Sequence, residues 1–206
     1  MKITQIIRQT QNKFLNMYEF RGKNKVGNDF RYFVASRAEE EKDLKAVSGG
    51  DRPDGVIMYA LYGEKHDRVV LIRQYRIPLG GYLYEFPAGL VEKGEDYREA
   101  AVREMHEETG LALSPVRADR MFEAARFTTG GLTDECCCMV YGYASGEPSR
   151  QYLEEGEDIQ IVLADRAEIR RILREERVAL MCAYQLMHFL HDEEEPFAFL
   201  EKPEAE

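Results

Sequence analysis

The stretch GLVEKGEDYREAAVREMHEETGL, residues 89–111, decides the fold because a turn-rich start leads into one strongly helical run. Asp96 is a favourable N-cap residue, and Glu99 three residues later completes a capping box. Gly110 is suited to end a helix in the left-handed conformation. The spacing therefore predicts a helix over residues 96–109.

Three glutamates of this helix share one face. At about 100° per residue, Glu104, Glu107 and Glu108 project within one narrow arc, a single turn apart. Like charges at this spacing destabilise a bare helix, whereas clustered carboxylate oxygens suit Mg²⁺ or Mn²⁺. Arg103 flanks the arc and can orient a carboxylate that it touches. The pattern indicates a divalent cation site, and a solvated, salt-bridged helix face is the alternative.

The sequence around this helix mixes strands with a few helices and lacks regular βαβ alternation, which is typical of α+β proteins. Strands are predicted over residues 12–21, 28–37, 56–62, 68–76, 121–127, 136–144 and 158–164, and one or two helices over 165–191. The turn-rich GKNKVGN joins the first two strands into a hairpin. We expect a hairpin element and linker over 1–50, a main domain over 51–192 and an acidic tail over 193–206.

The charge balance excludes several classes of partner. The 206 residues carry 28 Lys and Arg against 38 Asp and Glu, a formal net charge of −10. This argues against nucleic-acid binding and against docking on an anionic membrane. The sequence has no apolar run long enough for a membrane span or a signal peptide. The cysteines, Cys136–Cys138 and Cys182, read as reduced thiols in apolar segments, so a cytoplasmic location is expected.

Residues 89–111 resemble the Nudix box, Gly-x5-Glu-x7-Arg-Glu-aliphatic-x-Glu-Glu-x-Gly-aliphatic, at every specified position, with Met105 and Leu111 at the aliphatic sites. The resemblance implies an α+β fold with a mixed β-sheet sandwiched between helices, the N-terminal hairpin being an extension. It implies that residues 51–192 form a Nudix hydrolase domain. It also implies hydrolysis of a nucleoside diphosphate linked to another group, with Mg²⁺ as cofactor and Mn²⁺ as a possible substitute.

The same resemblance implies roles for residues of the box. The implied metal ligands are the Ala88 carbonyl, Glu104, Glu107 and Glu108. Glu107 alternatively polarises the attacking water, and Arg103 and Glu95 orient the loop and the helix. The chemistry agrees, because pyrophosphate oxygens repel a nucleophile until cations neutralise their charge.

Beyond the box, RQYRIPLGGYLYEFPAGLVEKGE, residues 73–95, is similar to the ADP-ribose pyrophosphatase subgroup. Arg76, Glu85 and Arg37 match positions that contact substrate in that subgroup. The resemblance therefore implies a nucleotide-sugar substrate, first of all ADP-ribose, which would yield AMP and ribose 5-phosphate.

The segment TGGLTDE, residues 129–135, resembles the Ser-Pro-Gly-x-Thr-x-Glu of the same subgroup. This assigns Gly131 and Glu135 to substrate binding. The departure is Gly130, which stands where proline is usual and weakens the specific assignment to ADP-ribose.

Further implied roles concern a loop and the hairpin. The acids of residues 154–158 match a mobile catalytic loop, with Glu155 as general base and Glu157 as the alternative. The subgroup commonly exchanges its N-terminal hairpin between subunits, so a homodimer is expected. Aromatic candidates for stacking on adenine are Tyr18, Phe20, Phe30 and Tyr32, and ordinary strand packing is the alternative for each.

Other functions stay open at this point. One is a pyrophosphatase for a different nucleotide sugar, and another is a Nudix ligand sensor that binds nucleotides without cleaving them. An acidic scaffold with an incidental motif is a third. The complete box and the lack of a basic attached domain favour the enzyme.

Overall fold

The structure is a computed structural model that describes residues 1–191 and 195–200. Its strands are β1 (Lys2–Arg8), β2 (Asn16–Lys23), β3 (Asp29–Ser36), β4 (Gly55–Tyr62), β5 (Arg68–Arg76), β6 (Gly81–Glu85), β7 (Ala88–Leu90), β8 (Ala112–Pro115), β9 (Arg126–Phe127), β10 (Cys136–Ser145) and β11 (Ile159–Ala164). Its α-helices are α1 (Lys45–Ser48), α2 (Tyr97–Thr109), α3 (Arg120–Glu123), α4 (Arg166–Glu175) and α5 (Leu180–His191). Short 3₁₀ turns lie at Glu41–Asp43, Ile77–Leu79 and Ala198–Leu200.

The chain divides into two compact units, Met1–Asp54 with Ala125–Cys137, and Gly55–Ala124 with Cys138–Glu206. Of the predicted acidic tail, residues 193–194 and 201–206 lie outside the described residues. Within the described part of that tail, Phe197 and Leu200 are buried in the core of the second unit. No helix in the described ranges is long and apolar enough to cross a membrane.

The first unit contains an antiparallel sheet in the order β1-β2-β3. The predicted hairpin is confirmed as β2 and β3, with Phe20 opposite Tyr32. Strand β1 was not predicted, because a register shift between Ile3 and Gln5 interrupts its alternation and most of its residues are exposed. In the segment predicted as a linker, Leu44 is completely buried and packs with Phe20, so part of this segment belongs to the unit's core.

A buried carboxylate stabilises this sheet. Glu19 is only 2% exposed and accepts hydrogen bonds from Arg21 Nε at 2.6 Å, Arg31 Nε at 2.5 Å and Gln9 Nε2 at 2.9 Å. The hydrogen bonds from the two arginines lower the pKa of Glu19 to about 2. Since the folded state holds this carboxylate charged more strongly than the unfolded chain does, Glu19 adds stability at neutral pH.

We expect Glu19→Gln to lower the free energy of unfolding at pH 7, and the deficit to shrink as the pH falls. The stabilisation from a depressed carboxyl pKa is present above the ordinary value of 4.5 and is lost as the pH approaches about 2. Urea unfolding of both proteins between pH 7 and pH 3 measures the difference. A deficit that stays constant over this range would show that charge is not the reason for the effect.

The second unit is built on a sheet in the order β11-β5-β4-β10-β8, with β6 paired to β5 and β7 paired to β4. Strand β4 is apolar throughout because both of its faces are covered. Met58 and Ala60 pack with the α2 residues Ala101 and Met105. Tyr59 and Leu61, on the opposite face, pack with buried side chains of α4 and α5. The predicted sheet between helices is therefore confirmed.

Most predicted elements of the second unit are confirmed, including the closing helices, which are α4 and α5. The predicted strand over 121–127 is wrong. Its first part is helix α3, because the Asp119 side chain caps the Met121 N–H at 3.0 Å, and only Arg126–Phe127 form a strand. An apolar run of this length does not separate a short helix from a strand.

Candidate active site

Helix α2 forms as its sequence predicts. The Asp96 side chain accepts from the Arg98 N–H at 2.9 Å, and Gly110 ends the helix at φ 72° with its N–H donating to the His106 carbonyl at 2.8 Å. One face of the helix is buried over successive turns, at Ala101, Met105 and Glu108. Glu108 is thus carried on the core-facing side of the helix, next to the sheet.

The helical spacing also predicts that Val102 and Met105 both pack toward the core. This is confirmed for Met105, which is completely buried, and wrong for Val102, which is 39% exposed. The reason is that Ala100 and Ala101, on the same face as the glutamates, are themselves completely buried. The small residues let the helix approach the sheet closely, and Val102 is turned away.

Arg103 ties the loop before the helix to the glutamates on it. It donates from Nε and Nη2 to the two carboxylate oxygens of Glu95, both at 3.0 Å. Its Nη1 donates to Glu104 at 2.8 Å and to Glu107 at 2.9 Å, and Nη2 also reaches the Leu90 carbonyl at 3.1 Å. The hydrogen bonds from Arg103 lower the pKa of Glu95. A charged, two-oxygen pair of this kind fixes geometry as well as contributing energy.

Glu104 and Glu108 lie in a poorly solvated place. The Glu104 side chain is 15% exposed and Glu108 is 3% exposed. Glu108 accepts from the Ala88 N–H at 3.0 Å. Burial is the main cause that raises the pKa of both carboxyls, and the negative charge of Glu157 raises both further. Buried like charges at this spacing favour a compensating cation.

The backbone of strand β7 passes directly beneath the Glu104 carboxylate. A Cβ placed on Gly89 would lie 1.9 Å from Glu104 Cδ and 2.2 Å from each carboxylate oxygen. Only glycine leaves this space, so the first residue of the motif and its first helical glutamate are coupled sterically.

Two predicted substrate residues face each other beside these carboxylates. Arg76, at the end of β5, donates from Nε to Glu85 Oε1 on β6 at 2.7 Å. The positive charge of Arg76 opposes the rise in the pKa of Glu108 that burial causes, so the ion pair lies within the electrostatic environment of the box helix. The second unit therefore brings the guanidinium groups of Arg76 and Arg103 together with the carboxylates of the box helix.

The predicted catalytic loop forms a turn that two hydrogen bonds between Glu154 and Glu157 close. The Glu157 N–H donates to the Glu154 carbonyl, and the Glu157 carboxylate accepts from the Glu154 N–H, both at 3.0 Å. Glu157 is half-buried, whereas Glu155 is exposed. The charge of Glu157 is among the causes that raise the pKa of Glu104 and Glu108.

The remaining predicted site residues lie in the first unit. Arg37 donates from Nε to Glu135 Oε1 at 3.3 Å, and the Tyr32 hydroxyl donates to the Gly131 carbonyl. A cavity of about 390 Å³ is lined by aromatic side chains, a lysine and the segment after β9: Phe20, Tyr32, Val34, Lys45, Ala46, Phe127, Gly130, Leu132, Thr133 and Asp134.

The four aromatic candidates for adenine stacking differ in environment. Tyr18 is 1% exposed, and its hydroxyl donates to the Ala38 carbonyl at 2.7 Å, as an interior residue does. Phe20 belongs to the same small core but also lines the cavity, and Tyr32 lines it from an exposed position. Phe30 packs against the core.

Sequence reasoning missed one acid near the start of α2. Glu123 is 5% exposed and accepts hydrogen bonds from Arg98, from the Tyr97 hydroxyl at 3.3 Å and from the Ala118 N–H at 3.2 Å. Burial, followed by the charge of Glu123, raises the pKa of Tyr97 to about 12. Glu123 thus fixes the first turn of the box helix although it lies far from that turn in sequence. No local sequence motif indicates such a contact.

The donor set of the box fits a hard divalent cation. Within residues 1–191 and 195–200, no three acidic, His or Cys side chains converge into a ready-made metal site. Glu104 and Glu107 instead pair with Arg103. However, the donors are all oxygens, three carboxylates and the Ala88 carbonyl, and Glu108 is buried near other negative charge. Oxygen ligands of this kind are those that Mg²⁺ and Mn²⁺ take.

A sheet between helices and an acidic box helix that follows a glycine loop define a Nudix domain. The family model described as NUDIX domain matches residues 51–181. The chain therefore belongs to the Nudix family, as its box predicts.

The relatives agree with this family, and a solved structure agrees with the fold. The chain is 53% identical over 45 residues to the ADP-sugar pyrophosphatase of Mus musculus, covering 22% of this chain and 21% of that protein. It is 44% identical over 94 residues to an ADP-ribose pyrophosphatase of Saccharomyces cerevisiae, covering 45% of this chain and 39% of that protein. These matches span well under two thirds of either relative. A crystal structure of an ADP compounds hydrolase is similar in fold, with a TM-score of 0.59 and 18% identity over 84% of this chain and 83% of that one.

Proposed function

We propose that this protein hydrolyses the pyrophosphate bond of ADP-ribose to give AMP and ribose 5-phosphate, in a reaction that requires Mg²⁺ or Mn²⁺. The observation that carries the proposal is the buried pair Glu104 and Glu108 in the second unit, whose pKa values are raised mainly by burial and further by the charge of Glu157, with Arg76 acting on Glu108. A buried acidic group beside a guanidinium suits a cation together with an anionic substrate. The similarity to proteins named ADP-ribose and ADP-sugar pyrophosphatase supports this class of substrate.

The residues that would hold the cation are Glu104, Glu107, Glu108 and the Ala88 carbonyl. When bound, the cation neutralises pyrophosphate charge and makes a water molecule easier to deprotonate. Glu157 accepts the proton of the attacking water, with Glu155 as the alternative base. Arg103 keeps the box carboxylates in place through its bonds to Glu95, Glu104 and Glu107.

Substrate binding is divided among the other candidates. Arg76 pairs with a phosphate oxygen, and its bond to Glu85 sets the direction of its guanidinium. In the first unit, Arg37, Glu135 and Gly131 contact substrate. Phe20 is better placed than Tyr18 to meet an adenine ring because it lines a cavity.

We further propose a homodimer that exchanges the N-terminal β2–β3 hairpin between subunits. This assembly would bring the substrate residues of the hairpin unit to a partner's box. The proposed dimer and the three-part division of the chain stay predictions, as does the cytoplasmic location.

A second candidate is hydrolysis of a different ADP-sugar. It is favoured by Gly130, which replaces the proline usual in the ADP-ribose subgroup. A Cβ added at Gly130 would meet no described atom within 4 Å. The flexible backbone at this position can widen the range of sugars that the segment accepts.

A substrate panel separates these functions. Purified protein is incubated with ADP-ribose, ADP-glucose, other nucleotide sugars and NADH, each with Mg²⁺, with Mn²⁺ and with EDTA, and the products are identified by mass spectrometry. We expect AMP and ribose 5-phosphate from ADP-ribose, and loss of turnover in EDTA that added Mg²⁺ restores. Preference for another sugar would favour the second candidate, and ADP-ribose binding without turnover of any compound would identify a ligand sensor.

A further inference from the structure

The acidic turn over residues 154–157 joins the sheet of the second unit at Asp158, where a hydrogen bond from Tyr82 crosses strand β5. Tyr82 Oη donates to Asp158 Oδ2 at 2.7 Å. Tyr82 stands opposite Tyr75 in the β5–β6 ladder, and the Tyr75 N–H donates to the Asp158 carbonyl at 3.0 Å. The tyrosine therefore reaches over one intervening strand and holds the residue that directly follows Glu157.

Tyr82 and the Arg76–Glu85 ion pair lie on opposite faces of the sheet. Successive residues of a strand project to opposite faces of the sheet. Tyr82 is three residues from Glu85 on β6, so Tyr82 lies on one face and the Arg76–Glu85 pair on the other. The Asp158 side chain is bound on the Tyr82 face, and Glu157 precedes it in the turn that leads into β11.

Glu157 also lies near the carboxylates of the box helix. Its negative charge is one of the causes that raise the pKa of Glu104 and Glu108. Tyr82 therefore anchors the residue next to an acid whose charge acts on the box.

The Tyr82 ring is itself held in place. The guanidinium carbon of Arg73 lies 4.1 Å from the centroid of the Tyr82 ring, and Arg73 Nη1 donates to Gln160 Oε1 at 3.3 Å. Tyr75 meets the ring edge-on at 5.5 Å. With the ring fixed by two neighbours, little freedom is lost when its hydroxyl binds Asp158.

We propose that Tyr82 is a positioning residue for hydrolysis. Through Asp158 it holds Glu157 near the carboxylates of the box helix, without itself contacting the substrate. The inference rests on the proposed function, in which Glu157 is the general base.

The test begins with Tyr82→Phe, which removes one hydroxyl and keeps the ring. We expect kcat to fall about 3- to 10-fold, the range that one hydrogen bond supplies. We expect KM to stay within about 2-fold, because substrate binding is not touched. Tyr75→Phe is the matched control on the neighbouring strand, and its kcat should stay within about 2-fold of wild type.

A double-variant cycle then asks whether Tyr82 acts through Glu157. In a Glu157→Gln background, Tyr82→Phe should lower kcat no further, because the group that it positions is already gone. Asp158→Ala should show the same pattern and is a second variant should Tyr82→Phe unfold. Three results would each overturn the inference. The first is full activity of both Tyr82→Phe and Asp158→Ala, and the second is an equal fold loss of kcat from Tyr82→Phe in the wild-type and Glu157→Gln proteins. The third is wild-type kcat for Glu157→Gln.

The cycle uses whichever nucleotide sugar the wild-type protein hydrolyses best, so the substrate and the role of Tyr82 are tested separately. Turnover of a sugar other than ADP-ribose corrects the proposed function and leaves the cycle as a valid test. Absence of turnover with every substrate overturns both. Thermal unfolding of each variant shows whether a loss of kcat follows a loss of structure.

Discussion

Glu108→Gln is expected to lower kcat at least about 1,000-fold, because it removes the carboxylate charge at the most buried point of the proposed metal site. The substitution keeps the shape of the side chain and an oxygen that can accept from the Ala88 N–H. The loss should therefore come from chemistry and not from packing. Steady-state kinetics with ADP-ribose and Mg²⁺ measure it.

Two measurements separate this role from a structural one. Without metal, the unfolding temperature of Glu108→Gln should equal or exceed that of wild type, because a neutral amide is easier to bury than a carboxylate. The rise in unfolding temperature on adding Mg²⁺ should shrink in the variant. Glu99→Gln, an exposed change on the same helix, is the matched control and should retain both turnover and the Mg²⁺ effect. Unimpaired turnover in Glu108→Gln would remove Glu108 from the metal site.

The features that could be predicted from sequence are those set by near neighbours in the chain. The caps of α2, Asp96 and Gly110, act within one turn, so their residue types suffice to predict the ends of the helix. The β2–β3 hairpin follows from one local turn. The glutamate face could be predicted because helical geometry is regular.

Other features depend on contacts that no local pattern records. The exposure of Val102 results from the close approach of two alanines to the sheet. The hydrogen bond from Arg98 to Glu123 joins residues 25 positions apart. The bond between Tyr82 and Asp158 joins residues 76 positions apart and depends on strand order. In each case the deciding partner is supplied by tertiary structure.

The coupling between Gly89 and Glu104 combines both kinds of information. The motif specifies a glycine, but only the structure shows that the Glu104 carboxylate occupies the space of the missing side chain. The glycine is therefore a packing partner of the glutamate. The position does not require glycine for its backbone conformation, because Gly89 does not have a positive φ.

Gly89→Ala is expected to lower kcat about 100-fold, because a displacement of about 1 Å in a reacting group can cost that much. The added Cβ would meet Glu104 Cδ at 1.9 Å, so the carboxylate must move away from the site. Moving this carboxylate should also break its 2.8 Å hydrogen bond from Arg103 and lower the free energy of unfolding by about 1 kcal/mol. Kinetics and urea unfolding measure the two effects.

A cycle with Glu104→Ala tests whether the clash is with that side chain. Glu104→Ala alone removes the carboxylate and should abolish most turnover. In that background, Gly89→Ala should no longer destabilise the protein, because the atoms that it meets are gone. Gly94→Ala, in the loop between β7 and α2, has no atom within 4 Å of its added Cβ but has φ +91°. Its cost is therefore backbone strain and should be the same in both backgrounds. If Gly89→Ala destabilises the Glu104→Ala protein as much as wild type, the space beneath the box helix is limited by the backbone and not by the glutamate.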